Sequence, residues 1–153
     1  MDVELGAARE ADLPAVEALV REAYEPYVAR IGRPPAPLLV DYARVIAEGR
    51  AVVARRGRVV GLLVSSVRED HVLVENLAVA SEARGSGVGA LLLEAADAQA
   101  RAAGVPELRL YTNERMHENF AYYPRRGFTE TGRAVQDGFA RVFFARPVSP
   151  AGG

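Results

Sequence analysis

The chain contains no cysteine, no tryptophan and only two histidines among its 153 residues. The missing thiols exclude a cysteine nucleophile, a disulfide framework and a thiolate metal site. All 19 basic residues are arginine, so no lysine can serve a phosphate-binding loop, a Schiff base or a pyridoxal cofactor. Any chemistry must therefore use carboxylates, tyrosines, hydroxyls, arginines, backbone amides, His71 or His117.

Long apolar runs are also missing. No apolar stretch reaches the ~18 residues of a membrane span, and no signal-peptide pattern opens the sequence. The formal net charge of −1 gives no electrostatic basis for general nucleic-acid binding. We therefore expect one cytoplasmic domain over residues 1–146 that binds neither membrane nor nucleic acid, followed by a flexible C-terminal tail over 147–153.

The hydrophobic pattern predicts alternating strands and helices. After a short strand at 3–7, apolar residues at helical spacing follow Asp12 as N-cap, and Pro26 is expected to kink or end that helix. A second short helix ends at Gly49. The later elements are strands at 51–56, 58–68, 71–80, 108–112, 128–131 and 139–145 and helices at 88–102 and 113–123. The order β-α-α-β-β-β-α-β-α-β-β indicates an α/β or α+β domain with a mixed sheet.

A glycine-rich loop at 84–89 joins a predicted strand to a predicted helix. A helix N-terminus offers unpaired N–H groups and the positive end of the helix dipole, and glycines allow an anion to approach the backbone closely. These features favour a phosphate or pyrophosphate ligand. The glycine spacing does not fit the dinucleotide fingerprint G-x-G-x-x-G, and the ATP-type loop needs a lysine. A glycine-rich turn without any ligand is the alternative.

Two motifs together resemble the GCN5-related N-acetyltransferase (GNAT) family. Arg84-x-x-Gly87-x-Gly89 resembles the family's acetyl-CoA signature, Q/R-x-x-G-x-G/A, at the junction of the fourth strand and the next helix. Tyr123-Pro124-Arg125-Arg126-Gly127-Phe128 resembles its Tyr-x-x-x-Gly-Phe signature. Chain length and element order agree over nearly the whole sequence. The resemblance implies a mixed, mostly antiparallel sheet of about seven strands, with helices on both faces, that opens after a bulge in the fourth strand.

The resemblance also implies acetyl-CoA as cosubstrate, and no metal. The main chain of 77–79 would pair with the pantetheine arm like an added strand, and N–H groups of 84–90 would hold the pyrophosphate. Many family members carry an asparagine where this chain has Met116, so Asn119 would supply that side-chain contact. The implied coenzyme-binding residues are Leu77, Ala78, Val79, Arg84, Gly85, Ser86, Gly87, Val88, Gly89, Ala90 and Asn119.

The implied reaction is direct acetyl transfer to an amine in a ternary complex, without an acyl-enzyme. Tyr123 matches the family's tyrosine, the general acid for the leaving thiolate. Glu75 lies in an apolar run, where burial would raise its pKa toward a useful value for a base. His71 precedes it by four residues on the same strand face. The sequence leaves open whether Glu75, His71 or neither is the base, and whether Glu75 instead binds the substrate ammonium.

Tyr24, Tyr27 and His71 are the residues we expect near the acceptor, and Arg30 or Arg33 could hold an acceptor carboxylate. No acidic tract would attract a polycation, which favours a small amine or an amino-acid-like acceptor. Two other functions stay open: a non-catalytic coenzyme A-binding sensor or regulatory module, and a nucleotide-binding domain. The sequence does not decide whether two copies form a homodimer.

Overall fold

A seven-stranded sheet organises the chain, which our computed structural model describes over residues 2–150. The strands are β1 (Glu4–Ala7), β2 (Ala51–Arg56), β3 (Arg58–Val67), β4 (Val72–Val79), β5 (Glu107–Asn113), β6 (Thr129–Gln136) and β7 (Phe139–Pro147). Their order in the sheet is β1-β2-β3-β4-β5-β7-β6. Only β4 and β5 are parallel; the other neighbours are antiparallel. The predicted mixed, mostly antiparallel sheet is therefore confirmed.

Within residues 2–150, five α-helices accompany the sheet: α1 (Leu13–Tyr24), α2 (Pro26–Ile31), α3 (Tyr42–Ala47), α4 (Val88–Ala103) and α5 (Asn119–Tyr122). Pro26 stands at the start of α2, so the helix predicted from Asp12 onward divides there, as expected from the missing N–H of proline. Asp12 precedes α1, but its side chain makes no capping hydrogen bond. It instead accepts two hydrogen bonds from Arg55, so its predicted capping role is wrong.

The core lies around β3, where every residue from 59 to 64 is buried. Because successive strand residues point to opposite faces, both faces of β3 are covered. Helix α4 packs closely at Gly61, where an added Cβ would lie 2.7 Å from Cγ1 of Val88 and 2.9 Å from Cδ1 of Leu92. This contact sets the position of the N-terminal end of α4 over the sheet.

A β-bulge divides the central strands. Val64 of β3 pairs with Asn76 and Ser65 pairs with Val74, so Glu75 is the extra residue on β4. Strand β4 pairs with β5 only over Val72–Val74. Beyond the bulge the two strands separate, which leaves residues 75–79 of β4 without a neighbour on that side. The bulge and opening implied by the family resemblance are therefore present.

The segment after β5 differs from the prediction. The expected helix over 113–123 is reduced to turns and the four-residue α5, because Oδ1 of Asn113 accepts the N–H of Arg115 (2.9 Å) and forms a local turn. Strand β6 continues to Gln136, five residues beyond its predicted end. It ends at a two-residue hairpin, Asp137-Gly138, where both residues have positive φ (52° and 77°).

The C-terminal end of β7 also lies later than predicted. Pro147 belongs to β7, and the N–H of Val148 donates to the carbonyl of Pro106 (3.0 Å). The N–H of Ser149 donates to Oδ1 of Asp97 (3.2 Å). These bonds attach residues 147–149 to the domain, and β7 ends two residues beyond its predicted end at residue 145. Residues 151–153 of the predicted tail lie outside the described residues.

Within residues 2–150, no helix combines the length and apolar character that crossing a membrane requires.

Candidate active site

The loop before α4 presents free backbone donors. Gly85 and Gly87 have φ of +79° and +90°, which side chains rarely adopt, and open space lies where their Cβ atoms would be. The first helical hydrogen bond runs from the N–H of Leu91 to the carbonyl of Gly87 (3.1 Å). Among the described residues, the N–H groups of Gly85 and of 87–90 therefore have no acceptor. Five such donors at a helix N-terminus favour an anion.

A large cleft of about 740 Å³ lies beside this loop. One wall is the unpaired edge of β4 at 77–79, and the other is the segment 116–126. Arg84, Arg125 and Arg126 line the cleft and give it positive charge near the free N–H groups. The cleft therefore combines an open strand edge with an anion-binding end.

Gly89 and Tyr122 meet inside this cleft. The Tyr122 hydroxyl occupies the space that a Cβ at position 89 would need. The guanidinium carbon of Arg126 lies 3.6 Å from the centroid of the Tyr122 ring, and burial raises the pKa of the phenol. Tyr122, the residue directly before the second motif, therefore packs against the glycine loop only because residue 89 has no side chain.

A smaller cavity of about 130 Å³ lies on the other side of the bulge. Its polar lining includes Arg50, Glu75, Asn76 and Arg141. Five residues line both this small cavity and the large cleft: Tyr24, Leu77, Met116, Asn119 and Tyr123. A group bound in the cleft and a second molecule bound in the cavity would meet at these five residues.

Tyr123 lies at this junction and is only 7% exposed. Its ring packs against Tyr122, Phe128 and Phe144, with centroid distances of 5.1, 5.5 and 6.1 Å. Burial raises the pKa of its phenol far above the ordinary value. The hydroxyl therefore keeps its proton at neutral pH and can donate it at the junction.

Glu75 reaches the small cavity from the bulge. Its Oε2 accepts a hydrogen bond of 2.6 Å from Arg50, and its side chain is 29% exposed. Arg50 also pairs with Glu48 (3.1 Å). The other oxygen of Glu75, Oε1, has no hydrogen-bond partner in the described part of the chain. Glu75 is thus a paired carboxylate that still has a free acceptor at the cavity.

A buried hydrogen-bond chain, not predicted from the sequence, supports the junction. The Tyr24 hydroxyl donates to Oδ1 of Asn76 (2.7 Å), and Nδ2 of Asn76 donates to the Tyr42 hydroxyl (2.9 Å). Tyr42 donates to the carbonyl of Pro37 (2.6 Å). Burial raises the pKa of Tyr42 to about 12 and that of Tyr24 well above its ordinary value. The chain joins α1 and α3 to β4 beside the bulge.

The other predicted residues divide into those near the site and those away from it. Tyr27 lines the large cleft only. Asn119 lines both cavities and donates to the Thr112 hydroxyl (2.7 Å). Of the predicted coenzyme residues, Ser86 and Ala90 do not line the cleft, whereas the others do.

His71 lines neither cavity. It lies just before the start of β4, at the end remote from the glycine loop, and its Nδ1 is 2.7 Å from Oδ1 of Asp70. The structure therefore places His71 outside both cavities, whereas Glu75 lines the small one.

Arg30 and Arg33 are also engaged elsewhere. Arg30 binds the carboxylate of Glu118 (2.8 Å), which lowers the pKa of that carboxyl to about 2. Arg33 donates to the carbonyl of Asp137 (2.9 Å). Neither arginine lines the small cavity.

Over residues 2–150, no group of three or more histidine, aspartate or glutamate side chains is placed to hold a metal ion.

Solved structures with the same fold include several acetyltransferases. PaiA N-acetyltransferase from Thermoplasma acidophilum, solved with coenzyme A, is 18% identical with a TM-score of 0.76, covering 96% of this chain and 99% of that one. The Escherichia coli ribosomal-protein-S18-alanine N-acetyltransferase is 21% identical with a TM-score of 0.70, covering 99% and 97%. Nourseothricin acetyltransferase is 24% identical with a TM-score of 0.73, covering 97% and 100%. At these identities the likeness establishes the fold.

The family comparison is more specific than these likenesses. No curated protein sequence gives a significant match. The model of the acetyltransferase (GNAT) family matches residues 16–128, about three quarters of the chain, including the glycine loop and the Tyr-x-x-x-Gly-Phe segment. The chain therefore belongs to the GNAT family of acyl-CoA-dependent N-acetyltransferases.

Proposed function

We propose that this protein transfers an acetyl group from acetyl-CoA to the amine of a small molecule, and that the transfer takes place where the two cavities meet. The observation that carries this proposal is the position of Tyr123, a buried tyrosine that lines both cavities. An acyl donor in one cavity and an amine in the other would be adjacent there. A ternary complex without an acyl-enzyme also suits a chain that contains no cysteine.

The polar groups that line the large cleft are of the kind that would bind acetyl-CoA. The free N–H groups of Gly85 and 87–90 would hold the pyrophosphate, with Arg84, Arg125 and Arg126 providing positive charge. The unpaired edge of β4 at 77–79 would hydrogen-bond to the pantetheine amides as a neighbouring strand would. Asn119 would add a polar contact close to the junction.

Bound acetyl-CoA supplies the thioester carbonyl that an amine can attack. Glu75 accepts a proton from the acceptor ammonium, directly or through water, so that the nitrogen lone pair becomes available. A backbone N–H near Leu77 or Val79 donates to the carbonyl oxygen as its charge increases. Tyr123 donates its proton to the departing sulfur when the carbon–sulfur bond breaks and the carbon–nitrogen bond is complete.

The size of the small cavity favours a small acceptor. Its volume of about 130 Å³ is close to the ~150 Å³ of an engineered apolar cavity that binds benzene. The solved relatives differ in acceptor: one is named for an alanine of a ribosomal protein and another for nourseothricin. The dimensions of this cavity support a small molecule over an extended peptide.

The experiment is an assay of thiol release from acetyl-CoA against a panel of amino acids, polyamines, aminoglycosides and peptides. Since the protein has no cysteine, its own thiols give no background. We expect one class of amines to raise the rate well above the hydrolysis seen without an acceptor. Thermal stabilisation by acetyl-CoA with no turnover for any amine would instead support the non-catalytic sensor, and stabilisation by ATP or NAD alone would support a nucleotide-binding domain.

A further inference from the structure

We infer that the acceptor is a free amino acid whose carboxylate binds to Arg141. This inference rests on the proposed acetyl transfer and adds the chemical class of its acceptor. Arg141 lies on β7 opposite Asn113 and lines the small cavity. No local sequence pattern distinguishes it among the 19 arginines.

Arg141 is held in place but is not neutralised by a close carboxylate. Its side chain is only 10% exposed, and its guanidinium carbon lies 4.3 Å from the ring centroid of Tyr111. Nη1 donates to the neutral amide oxygen of Gln136 (3.0 Å). The nearest carboxylate oxygen is 3.8 Å away, on Asp137, whose side chain is 84% exposed. A buried cation with so weak a partner favours an anionic ligand.

Two donors of Arg141 remain available to that ligand. Within residues 2–150, neither Nε nor Nη2 of Arg141 has a hydrogen-bond acceptor. Neither of these atoms is fully enclosed by the protein. These two nitrogens form the planar edge of the guanidinium that binds a carboxylate through two parallel hydrogen bonds. The aromatic packing fixes the plane of the group, so little conformational entropy is lost on binding.

The other charged groups of the cavity do not compete for this role. Arg50 already binds both Glu48 and Glu75. Glu75 lies on β4, and β5 separates β4 from β7 in the sheet order. Both residues line the small cavity, so their side chains reach it from strands on either side of β5. One end of the cavity therefore offers a carboxylate for an ammonium, and the other offers a guanidinium for a carboxylate.

A molecule with an amine and a carboxylate a few bonds apart matches both ends. The cavity volume of about 130 Å³ suits a single amino acid. A protein N-terminus would lack the free α-carboxylate and would leave Nε and Nη2 of Arg141 without an acceptor. The ammonium would then point toward the junction that contains Tyr123.

The test compares the common L-amino acids with their primary amides as acceptors, because each pair differs only in the carboxylate. For the wild-type protein, we expect kcat/KM for the best amino acid to exceed that of its amide by about 10-fold or more. Arg141→Gln should lower kcat/KM for the acid by about 10- to 100-fold, mainly through KM, and leave the amide little changed. Arg133→Gln, which removes an exposed arginine of β6 outside both cavities, should change neither.

The outcomes separate this inference from the proposed function. The carboxylate site would be wrong, and the proposed acetyl transfer would stand, if the amides had the same kcat/KM as the acids. The same conclusion would follow if Arg141→Gln left the ratio of kcat/KM between acid and amide unchanged. Acetylation confined to amines without a carboxylate would lead to that conclusion too. If no amine is acetylated, both the carboxylate site and the proposed acetyl transfer are wrong. If Arg141→Gln does not fold, the comparison of acids with amides in the wild-type protein still tests the carboxylate site. Arg141→Lys keeps the positive charge but lacks the planar edge, so it should weaken the preference for the acid.

Discussion

The hydroxyl of Tyr24 donates a hydrogen bond of 2.7 Å to Oδ1 of Asn76, and this bond joins the last residue of α1 to the strand beside the bulge. Tyr24 lines both cavities, and Asn76 lines the small one. The same amide donates to Tyr42, so one side chain holds two helices against β4. The packing of the site and the stability of the fold therefore depend on the same polar contact.

Asn76→Ala should lower the free energy of unfolding by about 2–4 kcal/mol, because it leaves two buried tyrosine hydroxyls without their partner. Denaturant unfolding measures this change. Tyr24→Phe is the matched comparison, since it removes one hydroxyl and should have a smaller effect. A loss below about 0.5 kcal/mol for Asn76→Ala would show that the hydrogen-bond chain contributes little.

Gly89→Ala should displace Tyr122 and weaken acetyl-CoA binding, because the new methyl group would overlap the phenol hydroxyl. Tyr122→Phe removes that oxygen; the next ring atom, Cζ, lies 3.3 Å from the Cβ position. We therefore expect Gly89→Ala combined with Tyr122→Phe to recover part of the affinity lost in Gly89→Ala alone. Calorimetric titration with acetyl-CoA tests this. Additive losses in the double variant would contradict the proposed steric cause.

Glu75→Gln should lower kcat/KM by about 100-fold, because it removes the only carboxylate that lines the small cavity within the described residues. Glu48→Gln is a close control, since Glu48 also pairs with Arg50 but lines neither cavity. Steady-state kinetics with one amine acceptor compares the two variants. Equal losses would indicate that both carboxylates act only by positioning Arg50.

The Asp12–Arg55 pair predicts a pH dependence of stability. Hydrogen bonds from Arg55, and then from the N–H of Arg9, lower the pKa of Asp12 below its ordinary value of 3.8. A lowered pKa in the folded state stabilises the fold above the unfolded-state value, and this contribution is lost as the pH falls through the folded-state pKa. The difference in unfolding free energy between wild type and Asp12→Asn, about 1–2 kcal/mol at pH 7, should therefore shrink below about pH 4. A difference that stays constant to pH 2 would contradict this account.

The central features of the fold followed from local patterns. The apolar run at 71–80, the glycine loop and the position of Pro26 depend on short-range rules, and they predicted β4, the start of α4 and the division of the first helix. The helix predicted from Asn113 onward is wrong, because the side chain of Asn113 forms a local turn that competes with the helix. Strand β6 extends beyond its predicted end at residue 131 because the chain reverses only at the Asp137-Gly138 hairpin, where both residues have positive φ.

The site was predictable only where a motif carried it. The glycine loop and Tyr123 belong to spaced motifs and lie on the cleft. Asn76 could have been suspected as a polar residue in an apolar run, but its two tyrosine partners are distant in the chain. Arg141 had no local signal at all, because its place in the cavity depends on the pairing of β7 with β5. His71 lines neither cavity, because it precedes β4 at the end remote from the glycine loop, a position that only the folded chain reveals.

The most direct test of the account compares turnover and acetyl-CoA binding in Tyr123→Phe. The phenol has a strongly raised pKa and touches both cavities, so its loss should remove the proton donor and leave the coenzyme cleft intact. We predict that kcat falls by about 100-fold or more, while acetyl-CoA at ~100 times its Kd still stabilises the variant by about 2.7 kcal/mol, as for wild type. Unchanged turnover in a variant that binds acetyl-CoA normally would contradict the assignment of the transfer to this junction.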